Sequence, residues 1–187
     1  MNSRMRHAIA PPYMVAVDNW YAAPKSGVII IRMKEFVLMI HPTFGMIGAF
    51  AALWVFIEIL NVSQRTIRRI RVASLVVTLS MIITWITGGF WYVTYYAADK
   101  AIILKGPWPL AHNLVMETKE HLFFITLILA LLLPIAVYSN ALVENKSARV
   151  LVGTVALLIV LSAFALEGAG AIISMGVKVG LMHALLK

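Results

Sequence analysis

Cysteine is absent from the 187-residue chain. Disulfides, thiolate-held zinc sites and iron–sulfur clusters are thereby excluded within it. Charge is scarce: 13% of residues carry one and 61% are hydrophobic, against roughly 25% charged in an ordinary soluble domain. Acids are scarcer than bases, with 8 Asp and Glu against 16 Lys and Arg. No nucleophile elbow, phosphate loop or dinucleotide fingerprint occurs, which removes the stand-alone soluble enzyme classes those motifs mark. The start of the chain has Arg4 and Arg6 but no apolar stretch fit for a secretory signal.

What is present is long apolar sequence. Four runs reach the length of about 18 residues or more that a membrane span requires: 35–60, 72–97, 118–139 and 150–174. They are continuous and do not alternate, which argues against a transmembrane barrel. Backbone polar groups in hydrocarbon must be satisfied inside each span, so the expected fold is all-α, an integral membrane four-helix bundle over residues 35–187. Residues 1–34, with Pro11, Pro12, Pro24 and Gly27, read as an irregular or interfacial N-terminal extension suited to docking a partner.

Four spans place both termini on one face, side A. Side B carries two short loops with Arg65, Arg68, Arg69, Arg71, Lys146 and Arg149. That density predicts side B in the cytoplasm and side A, with both termini, outside a cell (inner) membrane. The basic surplus is explained by helix ends and anionic headgroups, so nucleic acid is not an expected partner. Pro42 predicts a helix that begins there with His41 at its mouth. The stretch 98–121 reads as the longest connection, and Pro134 predicts a kink that a neighbouring helix accommodates.

The chemistry-bearing residues are unevenly placed. All five histidines fall on side A. His41 opens the first span and His121 opens the third, inside "METKEHLFF". Ionisable residues at such depth are costly and therefore functional candidates. Gly45 and Gly48 share a helix face with His41 and leave space beside it, for a flat macrocycle or for a neighbouring helix. Glu167, in "SAFALEGAGAI", reads as a proton-relay or quinone-site group, or as a hydrogen-bonded neutral carboxyl. The aromatics Trp91, Tyr92, Tyr95 and Tyr96 read as an interfacial belt.

Histidines on separate spans of a small helical bundle, with glycines beside one, resemble the four-helix b-type cytochromes of respiratory membrane complexes. The resemblance is architectural, covers residues 35–175 and rests on His41 and His121. It implies one haem b held by these two histidines, the iron bound between two imidazoles. It also implies electron transfer between quinone and a partner carrier, within a complex of other subunits. Two alternatives stay open. One is a cofactor-free structural subunit whose side A histidines are interfacial. The other is a membrane metalloenzyme in which Glu117, Glu120, Glu167 and the histidines hold non-haem iron, copper or zinc.

Overall fold

A computed structural model describes residues 25–139 and 141–186, with side chains from residue 33. The described residues are all-helical, with no strand among them. Helix α1 spans Lys25–Leu60, α2 Gln64–Lys105, α3 Glu117–Ser139 and α4 Lys146–Leu185, and a π-helical turn, Ala111–Met116, leads into α3. All four helices are long and apolar enough to cross a membrane.

The helices run further than the apolar runs. Of the expected N-terminal extension, residues 1–24 lie outside the described residues, and 25–34 are the first turns of α1. Pro42 therefore sits inside α1, and His41 is mid-helix rather than at a helix mouth. The stretch expected as a long side A connection is mostly helical: α2 continues to Lys105 and the π-helical turn begins at Ala111. The reason is physical. Hydropathy marks only the part of a helix that lipid covers, while backbone hydrogen bonding continues until something breaks it. Here the break is Gly106-Pro107-Trp108-Pro109, and Pro109 then starts the next turn, its carbonyl accepting from His112 and Asn113. At 42 residues, α2 is about 63 Å long, twice the roughly 30 Å of hydrocarbon.

On side B the turns are closed by capping. Ser63 and Thr66 form a reciprocal capping box at the start of α2, the Thr66 hydroxyl accepting from the Ser63 amide at 2.8 Å. Asn145 caps α4 through Ala148. The Arg149 guanidinium donates to the carbonyls of Leu142 and Val143, tying down the other loop.

Pro134 lies inside α3 and removes the amide that would serve the Ala130 carbonyl. The Thr78 hydroxyl of α2 donates to that carbonyl at 2.6 Å. A neighbouring helix thus satisfies the acceptor that proline orphans, which is how membrane helices tolerate proline.

Two cores follow along the bundle. The larger lies toward side B and joins all four helices through Ala52, Val55, Val77, Leu133, Val152 and Ile159. Small residues let the backbones approach: a Cβ on Gly48 would come within 2.8 Å of Met81 and 3.3 Å of Ser80 on α2. The smaller core, toward side A, gathers Tyr96, Ile103, Ala111, Met116 and Ile173. There the end of α4 lies close on α2, since a Cβ on Gly180 would meet the Ile102 carbonyl at 2.8 Å. Between the two cores the helices part around a cavity.

Candidate functional site

The cavity encloses roughly 600 Å³ and is bounded by all four helices. Its size lies within the range of small-molecule sites. Its walls are mainly apolar and aromatic, including Leu38, Trp85, Phe123, Phe124 and Ile173. Besides the aromatics, six polar side chains line it: His41 from α1, Thr84 from α2, Lys119 and Glu120 from α3, and Glu167 and Ser174 from α4.

His41 is held firmly. Its Nδ1 lies 2.9 Å from the Thr84 carbonyl oxygen. A carbonyl only accepts, so Nδ1 carries the proton and, in the neutral ring, Nε2 keeps its lone pair. The ring rests directly on the backbone of α2 at Gly88, where a Cβ would stand 2.5 Å from Nδ1 and 2.6 Å from Cε1. No side chain larger than glycine's fits under the imidazole in this position.

The other polar groups are placed by similar close approaches. Glu167 Oε1 lies over Gly45 of α1, 2.9 Å from where a Cβ would be. Lys119 Nζ reaches across to Gly170 of α4, 3.1 Å from a Cβ there. Lys119 interacts electrostatically with both Glu167 and His41. Two atoms are conspicuous for what they lack. Thr84 is 4% exposed, and among the described residues neither its Oγ1 nor Glu120 Oε1 has a hydrogen-bond partner, although the Glu120 carboxylate as a whole is hydrogen-bonded to Tyr92. Buried polar groups are normally satisfied, so orphans on a cavity wall are the groups a ligand would serve.

A second arrangement adjoins the cavity. Tyr96 lines it, stacked on Tyr92 at 5.1 Å between ring centroids. The Tyr96 hydroxyl is 3.0 Å from Nδ1 of His112, which the π-helical turn carries. His112 is 3% exposed. Its Nε2 is 4.0 Å from Oε1 of Glu117, whose side chain is half exposed. Single π-helical turns recur at functional sites because they re-aim side chains out of helical register. The aromatics expected as an interfacial belt are thus divided: Trp91, Tyr92 and Tyr96 pack together and line the cavity, while Tyr95 meets Phe90 edge-on.

His121 is at the level of the cavity, between Lys119 and Phe123 on α3, but on an exposed face. Its Nδ1 donates to the Glu117 carbonyl of its own helix at 2.7 Å. The pair expected to hold haem b is therefore matched in depth and not in direction: His41 lines the cavity and His121 does not. The described positions do not fit a haem held between these two imidazoles. Gly48 faces α2, and Gly45 faces Glu167 and Thr84. Glu117 sits with His112. Among the described residues no three histidine, aspartate or glutamate side chains converge to hold a metal ion.

Sequence reasoning reached His41, Glu120 and Glu167 but missed Thr84, Gly88 and Lys119. The signal was available in part. Thr87, Gly88 and Gly89 interrupt an otherwise bulky apolar run, and Lys119 is a cation at the same depth as two half-buried carboxyls.

The fold and this cavity define the class, a multi-pass membrane protein, all-helical in its described residues, with an apolar-walled cavity on which several polar side chains converge. No protein-family model matches the chain, and no curated protein or solved structure matches it significantly.

Proposed function

We propose that the chain is the membrane-embedded subunit of a redox complex, and that the cavity binds the head group of a quinone. The observation that carries this is the convergence of His41, Thr84, Lys119, Glu120 and Glu167 on one apolar-walled cavity, with two of their oxygens unpartnered. A quinone head is a flat apolar ring with two carbonyl acceptors. Aromatic walls suit the ring. The Thr84 hydroxyl and the Lys119 ammonium are donors for its oxygens, and His41 Nε2 accepts from the hydroxyl of the reduced form.

Oxidising a quinol releases two electrons and two protons. The electrons pass to a partner subunit of the complex. The protons need acceptors at the site and a way out. His41 Nε2 and the carboxylates of Glu120 and Glu167 are acceptors at the cavity wall. From there Tyr96, His112 and Glu117 form a route toward the exposed side A face, since the tyrosine hydroxyl and the imidazole each pass a proton on as they receive one. In this reading Tyr96→Phe slows quinol oxidation and leaves quinone affinity unchanged.

The test is quinone binding to the detergent-purified chain, followed by quenching of the cavity tryptophans with a short-chain quinone. His41→Ala and Thr84→Val each weaken binding by about ten-fold, the equivalent of one lost hydrogen bond to the ligand. Equal affinity in both variants and the native chain ends the proposal.

A further inference from the structure

Away from the cavity, α1 and α2 enclose a second depression, an open groove of roughly 450 Å³ on the outer surface of the bundle toward side B. Its walls are Phe50 and Trp54 of α1 and Val72 and Val76 of α2, and its side B end is formed by Arg68 and Arg69. Phe50 is 58% exposed and Trp54 54%. They follow each other at i, i+4, as do Arg68 with Val72 and Val72 with Val76, so apolar wall and basic end lie on continuous helix faces.

The two arginines differ in what holds them. Arg69 donates to Glu58 Oε2 at 3.1 Å, and the Glu58 side chain is only 14% exposed. That contact orients the guanidinium and uses one edge of it, leaving further N–H groups directed elsewhere. Arg68 is exposed and makes no hydrogen bond or ion pair with any described residue. Arg65 precedes Arg69 by one turn on the same face. Glu58 neutralises one charge, and the end of the groove remains strongly positive.

We propose that this groove is a binding site for an anionic phospholipid of the surrounding bilayer. The acyl chain lies along Phe50, Trp54, Val72 and Val76, and the phosphate is bound by Arg68 and Arg69. Charge and depth both select this occupant. The apolar walls belong to helices that cross the hydrocarbon, where an acyl chain is the solvent. The arginines begin where the apolar run of α2 ends, at headgroup level, and basic pockets between helices at that level suit acidic headgroups. Guanidinium also matches phosphate with paired hydrogen bonds. A zwitterionic lipid brings its own cation to the same place and loses that advantage. The groove shares no residue with the cavity, so this site stands or falls apart from the quinone proposal.

The experiment reconstitutes the full chain in phosphatidylcholine vesicles containing a minor fraction of phosphatidylglycerol. The acyl chains of one lipid or the other are brominated, and quenching of Trp54 is taken as the difference between the native chain and Trp54→Phe. The expected result is enrichment of phosphatidylglycerol at Trp54 over its bulk fraction, by about five-fold for each contacting arginine, falling as salt is added. Arg68→Gln lowers the enrichment without disturbing the fold, because Arg68 makes no hydrogen bond or ion pair with any described residue, and Arg68→Gln with Arg69→Gln removes it. Quenching by the two lipids in proportion to their bulk fractions in the native chain overturns the proposal. So does enrichment that survives in the double variant.

Discussion

The two halves of the bundle solve one packing problem in opposite ways. Toward side B the helices meet through alanine, valine, glycine and leucine, and fully buried residues such as Ala52, Val77, Leu133 and Val152, one from each helix, show how tightly that core closes. Toward side A the same helices carry histidine, lysine, two glutamates and a threonine at comparable depth and part around a cavity. Helix association in lipid gains little from burying apolar surface, because lipid is itself apolar, so packing and polar contacts must hold it. The side B half relies on packing. The side A half gives up packing for a set of polar groups whose hydrogen bonds are incomplete. A protein keeps such a region only at a cost, which makes it the candidate site.

The largest break in that comparison comes from the packed half. Leu133→Ala opens a hole in the side B core and costs about 2–5 kcal/mol, read from denaturant titration in micelles, with quinone affinity of the cavity unchanged. Gly88→Ala works the other way. A methyl group there displaces the His41 ring, and quinone binding falls by about ten-fold or more. The clash costs about 1–3 kcal/mol of overpacking, offset in part by the roughly 0.5–1 kcal/mol by which alanine is favoured over glycine within a helix. Unchanged quinone binding in a folded Gly88→Ala chain would show that the His41 ring is not part of a site.

A smaller effect sharpens the account of α3. Thr78→Val removes the donor to the Ala130 carbonyl and costs about 1–2 kcal/mol. In a Pro134→Ala background, where the helix supplies its own amide to that carbonyl, most of the cost disappears. A double-mutant cycle with no coupling would mean that the Thr78 contact is incidental. The smallest effect is at a helix end. Ser63→Ala breaks the capping box of α2 and lowers stability by about 0.5–1 kcal/mol, seen as a shift in thermal midpoint.

Particular residues show how far the sequence could be read. The four spans followed from run length alone. The helix ends were misplaced, because proline at 42 does not stop α1 and hydropathy does not register helix beyond the lipid. His41 and His121 were paired by depth, which is a one-dimensional property that sequence position gives. Direction around the helix is a second coordinate, and it separates them. His121 shares its exposed face with Glu117 and Ile128, while His41 is turned inward over Gly88.

Composition and run length by themselves determined an all-helical protein with four membrane-length segments, and placed its five histidines near one end of them. Only the tertiary structure decided which of those residues meet. Helix rotation is set by the close contacts of particular neighbours, Gly48 against Met81 and Gly88 against the His41 ring. Those contacts join residues far apart in the chain, and no local pattern encodes them.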